Sequence, residues 1–173
     1  MIKIGSLADK RAVEAEMPVE DRWSARTLYQ QLAETAGRFP ERPAITFQLK
    51  SGPTDKVVTL SWREYLAEVT RAANLFRRLG IGPSDTVAYV LPNGIEAPVA
   101  LIAGATAGIV TPINPLLAPE HIAGILRETQ AKVVVTLAPF PRTDVAQKVA
   151  EAVALAPGVE AVVAVRRPAL PRR

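Results

Sequence analysis

No cysteine occurs among the 173 residues, and there is a single histidine, His121. The first absence excludes disulfides, iron–sulfur clusters, zinc ribbons and thiol nucleophiles together. The second excludes a His-rich metal site. Long unbroken apolar runs are missing too. Residues 97–119 carry no charge, a length that would be sufficient for roughly 30 Å of hydrocarbon. However, Pro98, Pro112, Pro115 and Pro119 interrupt the stretch, and Ala and Gly dominate it. It therefore reads as buried globular structure, not as a membrane span. The Gly104-x-x-x-Gly108 spacing inside it serves helix contacts in lipid; here it is read as close packing of a buried helix on a sheet. Residues 1–10 mix charges around no apolar centre, so no secretory signal is read and the cytoplasm is the expected location.

What is present is ordinary for a folded chain: 49% apolar and 22% charged residues. The length fits one domain with a tail. The net charge of +4 is localised. Arg166, Arg167, Arg172 and Arg173 fall in the last eight residues, where there is no acid. Without them 17 basic residues balance 17 acidic ones. A nucleic-acid surface needs a basic face on the folded part, so no nucleic-acid partner is expected. The sequence divides into an arm (1–22), an α/β unit (23–165) and a Pro/Arg tail (166–173).

The arm is weakly periodic and is expected to hold one short helix. Thr27-Leu28-Tyr29-Gln30 reads as a capping box opening a helix with Leu28, Leu32, Ala36 and Phe39 on one face. Pro40 and Pro43 stop it. Residues 44–50 alternate as a strand with Ile45, Phe47 and Leu49 on one side, Ser51-Gly52-Pro53 turns, and 56–60 returns as a hairpin partner. Ser61-Trp62-Arg63-Glu64 is a second capping box. It opens a helix whose apolar face is Trp62, Tyr65, Leu66, Val69, Ala73, Phe76 and Leu79, ending at Gly80 in the left-handed C-cap position. Strand 86–91, helix 95–107, strand 109–112, a helix opened by Pro119, strand 132–136, helix 144–156 and strand 159–165 then alternate. Continuous valine runs between helices indicate parallel strands covered on both faces. The expected fold is α/β: a mostly parallel sheet flanked by helices, with an N-terminal β-hairpin.

Parallel sheets place ligands beyond the carboxyl ends of their strands. The loops to inspect are Pro92-Asn93-Gly94, Asn114-Pro115-Leu116 and 137–142. None contains a glycine-rich phosphate cradle. Ser61 is a cap, Ser51 and Ser84 are turn residues, and none has a neighbouring base. His121 reads as a surface side chain beside Glu120. Glu64 and Glu68 lie beside Arg63 and Arg71, and Glu14, Glu16, Glu20 and Asp21 lie in the arm; both groups read as solvated charge. No catalytic, cofactor-binding or metal-binding residue is assigned from the residues themselves.

Five strings in order carry a resemblance. They are Thr27-Leu28-Tyr29 … Arg38-Phe39-Pro40-Glu41-Arg42-Pro43-Ala44-Ile45; Leu60-Ser61-Trp62-Arg63-Glu64-Tyr65 … Asn74-Leu75-Phe76-Arg77-Arg78-Leu79-Gly80-Ile81-Gly82-Pro83-Ser84-Asp85-Thr86-Val87-Ala88; Leu91-Pro92-Asn93; Ala107-Gly108-Ile109-Val110-Thr111-Pro112-Ile113-Asn114-Pro115; and Gln130-Ala131-Lys132-Val133-Val134-Val135-Thr136. Together they resemble the opening of the adenylate-forming (AMP-binding) superfamily over about residues 24–165. Asn114-Pro115-Leu116-Leu117 and Thr136-Leu137-Ala138-Pro139-Phe140-Pro141 look most like its acyl-CoA synthetases.

The resemblance implies the first part of the family's large N-terminal domain. It implies ATP, Mg²⁺ and CoA as cofactors of the parent enzyme, a carboxylic acid as its substrate, and the remainder of that enzyme as partner. The family's phosphate loop ending in Pro-Lys, its Tyr-Gly-x-Thr-Glu string and its C-terminal lysine have no match here. Asn93 and Asn114 match family strings but read as turn residues. The chain is accordingly expected to be a scaffold fragment, inactive alone, with apolar surface that drives self-association. The alternative is a stand-alone flavodoxin-like or Rossmann-like binding or interaction module.

Overall fold

The computed structural model describes residues 5–49, 52, 54, 56–140 and 143–166. Parts of the arm (1–4), the hairpin turn (Lys50, Ser51, Pro53 and Asp55), the loop at 141–142 and the tail from 167 onward lie outside the described residues.

Two short helices form the arm instead of one: α1 (Leu7–Glu16) and α2 (Val19–Arg22). Pro18 separates them. Met17 precedes it in an extended conformation, φ −157° and ψ 128°, as the residue before a proline prefers. No side chain of α1 is buried. In α3 (Leu28–Arg38) the Thr27 hydroxyl accepts from Gln30 N at 3.0 Å. The reciprocal half of the expected box is displaced, because Gln30 Oε1 accepts from Arg26 N at 2.9 Å. Strands β1 (Pro43–Gln48) and β2 (Val57–Ser61) pair antiparallel as a separate hairpin.

Helix α4 (Trp62–Arg78) has a complete capping box. Glu64 Oε2 accepts from Ser61 N at 2.8 Å, and Glu64 N donates to Ser61 Oγ at 3.3 Å. The backbone bond, then the hydroxyl bond, holds the Glu64 carboxyl below its usual range. Ser61→Ala should therefore lower stability by about 1 kcal/mol, readable as a lower urea midpoint with an unchanged m-value. Gly80 closes the helix at φ +85°, and Ile81 N reaches back to Phe76 O at 3.0 Å. This is the long bond of a Schellman cap.

The main sheet holds β3 (Thr86–Val90), β4 (Ile109–Ile113), β5 (Ala131–Leu137) and β6 (Ala161–Val165), all parallel, in the order β4-β3-β5-β6. Helices α5 (Glu96–Ala107), α6 (Pro119–Glu128) and α7 (Val145–Ala154) make the crossovers. The sequence expectation for α7 ran to residue 156. The chain instead tightens, with Leu155 N bonded to Ala152 O and Ala156 N to Val153 O, an i→i−3 pattern that ends helices.

Strand alternation sorts the core into two layers. Val87, Val133, Val135 and Leu137 face α3, α4 and α5. Ala88, Val90, Ile113 and Val134 face α6 and α7. Residues 97–119 resolve into α5, β4 and a turn, and no helix among the described residues is long and apolar enough to cross a membrane. Pro98 does not interrupt α5. It sits in the first turn, where its missing N–H is not needed, and its carbonyl accepts from the Tyr65 hydroxyl at 3.0 Å. At the other end Arg77 Nη2 donates to Thr106 O at 3.0 Å. Helices α4 and α5 are thus pinned together at both ends.

Candidate functional site

The two ends of the sheet differ. At the amino end Lys132 Nζ meets Asp85 Oδ1 at 2.7 Å, and Asp85 Oδ2 accepts from Gly82 N at 2.8 Å. The Lys132 bond, then the Gly82 bond, lowers the Asp85 carboxyl's affinity for protons; the same contact raises that of Lys132. The pair lies away from the carboxyl ends of the strands, so its role is to join the start of β5 to the turn before β3.

The sign of its pH dependence follows. Asp85 stabilises above its ordinary value of 3.8, and that contribution is lost as pH falls through its lowered folded value. Lys132 stabilises below its ordinary 10.5 and loses that contribution as pH rises through its raised value. Asp85→Asn should therefore lower the melting temperature by a constant amount near neutrality. The gap to the unaltered chain should close as pH drops below about 4, which a pH series of thermal melts measures.

At the carboxyl end, α5, α6 and α7 begin without side-chain caps. Asn114 Oδ1 accepts from Leu116 N at 2.9 Å, and Asn114 O accepts from Leu117 N at 3.2 Å. Asn114 thus makes an Asx turn, bonding its own loop. Asn93 is exposed in the bend before α5. His121 is exposed in the first turn of α6. Glu64 is committed to its cap and Glu68 is paired with Arg71, so these two carboxylates do not converge. In the arm, Glu14 pairs with Lys10 and Glu16 with Arg22. Among the described residues no three of His, Asp and Glu come together to hold a metal ion.

One concave feature was not legible in the sequence. A groove of about 520 Å³ runs between α4, the start of α5 and the outer strand β6. Its apolar wall is Leu75, Phe76, Val99, Val135, Val163 and Val165. Glu68, Arg71, Arg78 and Glu96 contribute charge to its lining. Its volume lies in the range of small-molecule sites, but it holds no nucleophile and no imidazole. It can take apolar matter beside those charged side chains.

Residues 32–172 match the model of the AMP-binding enzyme family. The chain belongs to the AMP-binding enzyme family. It is 35% identical over 137 residues to the marinolic acid–CoA ligase of Pseudoalteromonas sp. (strain SANK 73390), covering 79% of this chain and 21% of that protein. A solved structure of a protein proposed to be a long-chain-fatty-acid CoA ligase from Rhodopseudomonas palustris CGA009 matches with TM-score 0.67 and 29% identity, over 82% of this chain and 33% of the other. The N-terminal domain of FACL13 from Mycobacterium tuberculosis, at 24% identity and TM-score 0.66, shares the fold over 82% of this chain and 34% of its own length. The chain thus spans about a fifth of the CoA ligase and a third of each solved structure.

For a member of the AMP-binding family, the carboxyl-end loops are where nucleotide phosphates would be sought, at helix N-termini. The residues here do not fit them. Each of the three helices starts with an acid: Glu96 in α5, Glu120 in α6 and, at the N-cap position of α7, Asp144, whose carboxylate is paired with Lys148 at 3.1 Å. A carboxylate there takes the favourable place of an anion and repels another. Pro98 and Pro119 also remove N–H donors from the first turns of α5 and α6.

Proposed function

We propose that this chain is the N-terminal scaffold portion of an ATP-dependent carboxylic acid–CoA ligase and has no ligase activity by itself. The whole enzyme would join a carboxylate to AMP, releasing pyrophosphate, and a CoA thiol would then displace AMP to give the thioester. The observation carrying this reading is the family match over residues 32–172 on a layer whose three carboxyl-end loops begin their helices with acids. In this reading the loops do not hold ATP or Mg²⁺. The sheet, the α4–α5 pair and the apolar groove form a supporting wall, and the phosphate- and metal-binding groups come from elsewhere in the enzyme.

ATP–pyrophosphate exchange tests the proposal. The isolated chain, offered short-, medium- and long-chain carboxylic acids, should give exchange no faster than buffer. Acid-dependent exchange would overturn it.

The strand order favours one second reading, a free-standing binding module. Chain connections diverge from β3 and β5 to opposite faces, the arrangement that forms a ligand crevice in doubly wound sheets. Saturable heat from ATP, AMP or CoA in calorimetry would support that module.

A further inference from the structure

Arg22, Arg63, Arg71, Arg77 and Arg127 each donate to a carboxylate or a backbone carbonyl of the chain. Arg38 and Arg42 are placed differently. Both hold their cation against one ring: Arg38 Cζ lies 5.4 Å and Arg42 Cζ 4.8 Å from the centroid of Phe39. These distances are within the reach of cation–π attraction. A ring face attracts the charge but is a weak acceptor, so the N–H groups of both guanidiniums stay available for stronger bonds. Both arginines are exposed. The acids of the neighbourhood are engaged elsewhere. Glu34 accepts from Ser24 Oγ at 2.9 Å and from Gln30 Nε2 at 3.0 Å, Glu41 pairs with Arg63 at 2.5 Å, and Glu64 accepts from Ser61 N.

The backbone that carries the pair is fixed. Arg42 N donates to Phe39 O at 3.1 Å, closing a turn with Pro40 at its second position, where the φ of proline fits. Phe39 N donates to Thr35 O at 2.9 Å at the end of α3. Two further bonds fasten the turn to the start of α4, from Trp62 N to Arg42 O at 3.0 Å and from Arg63 N to Pro40 O at 3.1 Å. The ring and both arginine backbones are therefore in place before any ligand arrives. Arg38 alone has a structural use, since it lies in the last turn of α3 at the negative end of the helix dipole. A second cation against the same ring adds repulsion between like charges. An anion bonded to both relieves it. A phosphate monoester suits the pair better than a carboxylate does, because it carries nearly two negative charges near neutral pH and offers three oxygens to two guanidinium forks.

We propose that Arg38 and Arg42, gathered by the Phe39 ring on this fixed turn, bind the dianion of a phosphate monoester. All parts of the site lie between Thr35 and Arg63, and it holds independently of the ligase reading.

Methyl phosphate, titrated into the nitrogen-15-labelled 173-residue chain at constant ionic strength and read on the arginine Nε–H resonances, tests it. The resonances of Arg38 and Arg42 should move together and saturate with one dissociation constant, while those of Arg63 and Arg71 stay nearly still. Arg38→Gln and Arg42→Gln should each weaken binding about tenfold or more. Arg38→Lys should recover only part of that loss, since it restores the charge without the fork. Phe39→Leu leaves both charges but removes the ring that gathers them, and should also weaken binding. Affinity should rise between about pH 5 and 7, as the second phosphate proton leaves near pH ~6. Acetate should bind about tenfold more weakly than methyl phosphate. Urea midpoints check that each variant is folded. Shifts that never saturate, shifts spread over all the arginines, binding that survives both Gln substitutions, or equal affinity for acetate would each overturn the proposal.

Discussion

Gly108→Ala should cost about 3 kcal/mol or more, enough to leave a domain of ordinary stability largely unfolded in mild urea. The reason is a close approach of backbone to backbone. A Cβ at residue 108 would lie 2.4 Å from Asp85 O and 2.5 Å from Gly82 O. Neither oxygen can swing away as a side-chain tip can. Asp85 O is already held by Ile109 N, and Gly82 O by Asp85 N. Backbone strain at residue 108 is not involved, since its φ of −167° is extended. Gly80→Ala is the informative contrast. There φ is +85° and a Cβ would meet nothing within 4 Å, so only the left-handed conformation is penalised, at about 1–2 kcal/mol. Equilibrium urea unfolding of the two variants separates the mechanisms. Equal losses would refute the close-approach account.

The second large effect is expected at Phe76. Its side chain is 2% exposed in the layer formed by α3, α4, α5 and one face of the sheet. Phe76→Ala should cost about 3–5 kcal/mol, combining lost transfer energy with the cavity left behind. Phe76 also forms part of the groove wall, so the space vacated would join an existing hollow. An apolar dye that reports on exposed hydrophobic surface should therefore bind the folded variant more strongly than the unaltered chain. Chemical denaturation measures the first quantity. Dye titration below the unfolding transition measures the second, and unchanged dye binding would mean that the wall had collapsed inward.

Much of this fold was legible because local chemistry and long-range packing agree. The Ser61–Glu64 box, the apolar face from Trp62 to Leu79 and Gly80 all point to one helix, and α4 has those limits give or take a residue. The valine run of β5 is buried on both faces, as its pattern requires. Gly104 and Gly108 are close-packing residues: a Cβ at 104 would come within 2.8 Å of Val110 Cγ2 on β4. Finer features were hidden where competition among bonds decides them. Gln30 could reach Thr27 N or Arg26 N, and composition does not choose between them. Pro18 divides the arm helix, a break that weak periodicity concealed. The groove was illegible for a different reason. Its α4 side continues the apolar stripe through Ala72 and Leu75, but its far side depends on what covers β6. No pattern within Ala161–Val165 records whether a helix lies over that strand. That Glu96, Glu120 and Asp144 each stand at a helix start could be read from the sequence; that the sheet gathers those starts at one end could not.

The difference between the two ends of the sheet governs how freely the sequence can change. At the amino end the Asp85–Lys132 bridge, the Gly108 approach and the bonds of Ile109 N and Glu160 N tie together segments distant in the chain. A change at any of these positions is felt by several strands together. At the carboxyl end Asn114 bonds within its own loop, but the Pro98 carbonyl at the start of α5 is held by the Tyr65 hydroxyl, and Ala138 N by Val165 O. Exchange of the Asn114 loop should therefore disturb the layer beneath less than exchange at either of the other two loops. The molecule thus concentrates its inflexible positions at the amino end, a division of tolerance set by the direction in which its parallel strands run.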